Sequence, residues 1–459
     1  MFDLVVKNGK VVTATDTYEA DLGVVEGKIS AIGKDLDGEK VIDASRMLVF
    51  PGGVDIHTHL DMPFMGMVSS DDFKTGTMAA AAGGTTTIID FAIQGKGQSL
   101  KEALDTWKKK AKGKAVIDYG FHLAITDLPE EVMREIPEMV KEGVPSFKLF
   151  LAYKGSLMVD DGTFFKALVE ARKNGALIAF HGENGDVVDI LVRKMLSEGK
   201  TEPIHHAESR PEEAEGEATG RAIALAEMAK APIYVVHLSC SEALDKVKAA
   251  RRKGQPVYAE TCPQYLLLSK DNYLEPDWGG AKYVMSPPLR DRWNQEVLWN
   301  GLLNGDLQVV STDHCPFNFK GQKDVGKDDF SKIPNGAPGI ETRIPLIYSE
   351  GVLKRRFSLN RFVELTSTNP AKLFGIFPEK GTIAVGSDAD LVIFDPEKEV
   401  VLAAENLHQR VDYTPYEGMR VKGYPVKTIV SGNFIIENGE FLGKSGTGRY
   451  LKRKPFERL

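Results

Sequence analysis

A set of metal-ligating side chains stands at the ends of β-like runs, and one member is a lysine where an acid is the usual donor. The set comprises His57 and His59 in VFPGGVDIHTH, Lys148 in SFKLFLAYK, His181 in LIAFHGE, His237 in IYVVHLS and Asp313 in VVSTDH. Side chains alternate faces along a strand, so His57 and His59, two apart, point the same way and can reach one ion together. Each residue alone has an ordinary reading. Histidines bond within loops, Asp313 could cap a following helix, and Lys148, flanked by Phe147, Leu149 and Phe150, could extend its ammonium to solvent. The joint pattern predicts a metal site, because five separate strand ends each carry a ligand-type side chain.

Such residues meet only if the strands close. After the first strand MLVFPGGVDI, seven further apolar runs follow: TTTIIDFA, YGFHLAI, PSFKLFLA, ALIAFHGE, PIYVVHLS, PVYAETC and LQVVSTD. Between them lie segments of helical period such as SLKEALDTWKKKAK, GTFFKALVEARKNG, GEATGRAIALAEMAKA and SEALDKVKAARRKG. Eight β/α units predict an α/β chain built on a (β/α)8 TIM-type barrel, whose active face is the rim at the strand C-termini. No GxGxxG follows a strand and no phosphate-binding loop of the Walker type occurs. Residues 1–50 alternate in short β pieces with Asn-Gly and Glu-Gly turns, and that texture returns after residue 376. The expected organisation is therefore residues 1–50 and 377–459 sharing one small β-sandwich domain, with the barrel, 51–376, inserted between them.

Composition narrows the class. At 459 residues, one large domain plus a smaller one is natural. With 58 Lys+Arg against 65 Asp+Glu and no long block of one sign, a nucleic-acid surface is disfavoured and a small-molecule partner expected. Cys240, Cys262 and Cys315 form no CxxC and are read as buried small apolar residues in a reducing compartment. No signal-like start and no membrane-length apolar run is found, so the expectation is a cytoplasmic protein.

The segments PGGVDIHTHLDMP, SFKLFLAYK, FHGENGD, VVHLSC, YVMSPPLRD, TDHCPF, IPNG and GTIAVGSDADLVIFDP resemble the cyclic amidohydrolases, most closely the dihydropyrimidinase and hydantoinase group, over essentially the whole chain. That resemblance implies hydrolytic ring opening of cyclic amides and imides, dihydropyrimidines and hydantoins. It implies two divalent ions, usually Zn2+, bridged by Lys148 after carbamylation by carbon dioxide. His57, His59 and Asp313 would complete one ion's shell, and His181 and His237 the other's. Paired ions roughly 3.5–4 Å apart can lower the pKa of a shared water to about 7, giving a hydroxide nucleophile. By the same resemblance Tyr153 donates to the oxyanion, Asp313 shuttles the proton, and main-chain groups of Ser286 and Asn335 hold the ring. Phe64, Phe150 and Leu157 match an exocyclic-substituent pocket, whose apolar character favours hydrogen or hydrophobic substituents.

Related enzymes for acidic rings carry an arginine after HxHL. Here Asp61 follows, and a carboxylate there would repel an acidic substrate. An allantoinase-like specificity is the alternative within the family. A non-catalytic, partner-binding relative would have lost ligands, and none is lost here. His122, His205 and His206 have no partner in the motif set and are read as structural. The resemblance also implies a homotetramer, with the basic tail FLGKSGTGRYLKRKPFERL, read as too polar to bury itself, lying on a neighbouring subunit.

Overall fold

The computed structural model describes residues 1–459. The chain opens with β1 (Phe2–Val12), β2 (Thr17–Val25), β3 (Lys28–Gly33), β4 (Gly38–Asp43) and β5 (Leu48–Pro51). The barrel strand β6 (Gly53–Thr58) follows, then a short hairpin, β7 (Pro63–Phe64) and β8 (Met67–Val68). The next barrel strands are β9 (Thr85–Ile93), β10 (Asp118–Ala124), β11 (Ser146–Phe150), β12 (Leu177–His181), β13 (Ile233–Val235), β14 (Val257–Thr261) and β15 (Val309–Val310). The chain returns to the first sheet with β16 (Leu391–Val401), β17 (Arg420–Val430), β18 (Asn433–Glu437) and β19 (Glu440–Phe441).

The eight central strands pair in parallel in sequence order from β6 to β15. A parallel bridge between Thr58 and His314, just past β15, closes the ring. Asp55 on β6 reinforces that seam by accepting from both the backbone N (3.2 Å) and the Oγ1 (2.6 Å) of Thr312. The intervening helices form where predicted. Ser99 and Glu102 make a reciprocal capping box for the helix Leu100–Ala111, and Asp160 caps Asp161–Lys173 by accepting from the backbone N of Thr163. A 13-residue apolar cluster combines side chains of β6, β9, β12, β13, β14 and β15 with residues of the segment 371–376.

Both chain ends share one nine-stranded sheet, in which β5 pairs antiparallel with β16. A separate apolar core, containing Val6, Leu22, Ile29, Leu391 and Ile429, draws on both ends. The tail departs from expectation, because it packs against its own chain. Tyr450 bridges to Tyr119, Lys454 donates its backbone N to Gly375, and Phe456 does so to Gly175. Arg453 is buried and donates to the carbonyl of Phe374 and to Ser146 Oγ as well as to Phe121. The tail's charge is accommodated because the Arg453 guanidinium meets the backbone carbonyls of Phe121 and Phe374. No helix is long and apolar enough to cross a membrane.

Candidate metal centre and substrate cleft

Strand alternation carries donors into the ring. On β12, Leu177 and Ala179 join the 13-residue cluster, and His181, two further on, stands at the strand's end. On β11, Lys148 enters between outward Phe147 and Leu149, which belong to the larger core between strands and helices. Its Nζ lies 4.3 Å from the ring centroid of Phe91 and 4.9 Å from that of Phe150, and 3.0 Å from His57 Nε2. Burial lowers its pKa to about 8 against the pull of Asp313 and Glu260. The alternative reading of Lys148 as reaching solvent therefore fails on geometry, since Lys148 is 1% exposed.

His57 Nε2 and His59 Nε2 lie 3.1 and 3.2 Å from one oxygen of Asp313. His181 Nδ1 lies 2.9 Å from His237 Nε2. One ligand atom each from His57, His237 and Asp313 fall within 4.8 Å of one another, so the two histidine sets form a single cluster. Two of the strand ends kink to achieve this. His237 (φ +39°) and Asp313 (φ +53°) are in the left-handed region, as is Tyr153 (φ +66°) in the loop after β11. Such non-glycine residues cost about 1–3 kcal/mol each and persist where surrounding bonds overdetermine them.

Carboxylates behind the donors set ring orientation. Glu260 accepts from His57 Nδ1, and Glu183 lies 2.6 Å from His181 Nε2, which leaves the other nitrogen of each ring facing inward. Burial lowers the pKa of His59 to about 4, so its ring is neutral with a lone pair free. Burial alone would raise the carboxyl of Asp313, yet the charge of His57 and hydrogen bonds from His57 and His59 hold it well below the usual range.

The donors form the floor of a cleft walled by Met62, Phe64, Ile93, Phe150 and Leu157. Tyr153 enters from the side, its ring 5.6 Å from Phe64 and 5.3 Å from His181. Burial, with the charge of Glu183 adding, pushes its phenol pKa up to about 12, so it is a donor at neutral pH. The opposite edge is Ser286 with Asn335, joined by an Asn335 Nδ2 to Ser286 Oγ bond of 3.0 Å. Lys323, fully buried, donates to Val284 (2.8 Å) and Pro334 (2.9 Å) and fastens the two segments together. Gly336 is required there, since a Cβ would come within 2.3 Å of the carbonyl of Cys315.

The structure thus brings together all twelve residues singled out by sequence; eleven line the cleft and His57 lies beneath it. Asp61 is not among them. At φ +50° the chain turns it outward, where its carboxylate lies 3.6 Å from Lys110, so it cannot act on a substrate by repulsion. The cleft wall itself contains no arginine. Sequence reasoning missed Glu260 and Glu183, although Glu260 stands at the end of the strand-seven run. His206, read as structural, lies 2.8 Å from the carbonyl of Met285 behind the Ser286 loop.

The Amidohydrolase family profile matches residues 48–435. The chain belongs to the amidohydrolase family. Among curated members, D-hydantoinase of Geobacillus stearothermophilus is 56% identical over 99% of this chain and 97% of its own. D-phenylhydantoinase of Escherichia coli O1:K1 / APEC is 45% identical over 99% and 98%. The crystal structure of dihydropyrimidinase from Brevibacillus agri NCHU1002 superposes with a TM-score of 0.98 at 55% identity, covering 99% of both chains. Amidohydrolases are metal-dependent, and this member's donor set fits that requirement. Histidine nitrogens and a carboxylate are ordinary zinc donors, and the Nε2 atoms of His57 and His59 converge on one oxygen of Asp313. The cleft's one thiol, Cys315, is held protonated by burial.

Proposed function

We propose that this amidohydrolase opens dihydropyrimidine and hydantoin rings by hydrolysis. The observation that carries the reading is the convergence of six nitrogen and oxygen donors at the floor of an apolar-walled cleft, in a chain whose relatives bear the names hydantoinase and dihydropyrimidinase. His57, His59 and Asp313 would hold one divalent ion, His181 and His237 a second, both probed first as Zn2+. Lys148 would serve both as a carbamate. Its depressed pKa supplies the neutral amine that attacks carbon dioxide, forming the N–C bond and releasing a proton. When bound, such ions lower the pKa of water and polarise the amide carbonyl.

The chain's own residues do the rest. Tyr153 donates its phenolic proton in a hydrogen bond to the carbonyl oxygen as negative charge builds there. Asp313 takes the proton of the attacking water and passes it to the ring nitrogen as the C–N bond breaks, so water is divided between the new carboxylic acid and the carbamoyl nitrogen that leaves. Main-chain groups of Ser286 and Asn335 orient the ring, and Phe64, Phe150 and Leu157 receive its exocyclic substituent. We further place the chain in the cytoplasm as a homotetramer. Its three free, buried cysteines are compatible with a reducing compartment.

Ring opening of dihydrouracil, hydantoin, a 5-substituted hydantoin, allantoin and dihydroorotate, assayed in parallel with elemental analysis, tests this. Close to two divalent ions per chain and turnover of the first three substrates are expected. An active preparation without stoichiometric metal, or one that opens only allantoin or dihydroorotate, refutes it.

A further inference from the structure

Strand β14 contributes none of the six donors, yet its Glu260 is in contact with both donor sets. The side chain is fully buried, and its Oε1 accepts from His57 Nδ1 and from the backbone N of His237 at 3.1 Å. Its Oε2 accepts from the hydroxyl of Tyr234 at 2.9 Å, which fixes the carboxylate's rotation. These are different kinds of hold. At His57 the bond sets which ring nitrogen faces the cluster. At His237 it pins the main chain of a residue kept at φ +39°, a conformation that reverts unless something restrains it. Glu183, by contrast, touches only His181.

We propose that Glu260 is the positioning residue that couples the two halves of the metal centre, so that its loss loosens both ions together. The inference rests on the two-ion reading above. One carboxylate oxygen shared between His57 and His237 means that neither donor can relax without releasing the acceptor of the other. Replacement of such supporting groups typically costs about 10–100-fold in metal affinity.

The test is the release of Zn2+ from the loaded enzyme to a colorimetric chelator, with stoichiometry measured before and after. Glu260→Gln should speed release of both ions by about 10–100-fold. Glu183→Gln should speed one ion only. Tyr234→Phe, which frees the carboxylate without touching a ligand, should speed both to a smaller extent, and it carries the test if Glu260→Gln does not fold. The melting temperature of the zinc-free forms is recorded alongside. A purely structural role predicts a lower melting temperature with unchanged release. That result, or faster release of one ion alone from the Glu260 and Tyr234 variants, overturns the inference and leaves the two-ion reading standing. A wild-type chain that retains no zinc overturns both.

Discussion

Replacing Lys148 with methionine should stabilise the metal-free protein while abolishing its activity. The ammonium is fully enclosed, and burial brings its pKa from 10.5 to about 8. A difference of that size corresponds to about 3 kcal/mol. The sign follows from proton counts: between pH 8 and 10.5 the unfolded chain holds the proton and the folded chain does not, so stability rises with pH there. Below pH 8 the folded state bears the full penalty. Lys148→Met removes it and should raise stability by about 3 kcal/mol at pH 7, narrowing to about 1 kcal/mol at pH 9.5. For a chain of 459 residues, with about 2.1 cal/mol/K of unfolding entropy per residue, the pH 7 gain is a melting shift of about 3 °C. The assay is calorimetry at one scan rate on chelator-treated protein in buffer stripped of carbon dioxide. A variant that melts lower than wild type at pH 7, or a difference that does not shrink by pH 9.5, refutes the account of Lys148 as a charged group held in a dry site.

Tyr153→Phe should lower kcat by about 10²–10³ with metal content unchanged, as expected for one lost oxyanion donor; unaltered kcat would leave the tyrosine as wall. Leu157→Ala should raise kcat/KM for bulky aromatic hydantoins relative to dihydrouracil by about 10–200-fold, and proportional changes across the panel would assign the leucine to packing. Arg453→Ala leaves carbonyls under the barrel without donors, at about 1–3 kcal/mol each, so the melting temperature should fall while the zinc content of folded enzyme holds.

The eight barrel strands were legible because each is a short apolar run bounded by loop chemistry, and the donors because a strand end has a defined direction. What lay behind them was not. Glu260 meets His57 across 203 residues of sequence, and nothing local marks a glutamate at a strand end as a histidine's partner. Asp61 was misplaced for a related reason. Its outward turn follows from a backbone angle that HLDMP does not advertise. The tail's basic residues gave a reading of surface, whereas Arg453 is buried by acceptors contributed from β10, β11 and the segment near Phe374, a coincidence only the closed ring creates.

The pairing of β5 with β16 has a consequence for synthesis. Leu48–Pro51 is made before the barrel and must await a partner encoded after it. At roughly 5–20 residues per second that interval is on the order of 20–70 s. Throughout it a nascent chain presents an unsatisfied strand edge of Leu-Val-Phe-Pro to its neighbours on the polysome. The edge is only four residues long and ends in proline, which offers no N–H for another chain to dock on, so its brevity protects the growing chain from cross-pairing until its own C-terminal strand arrives.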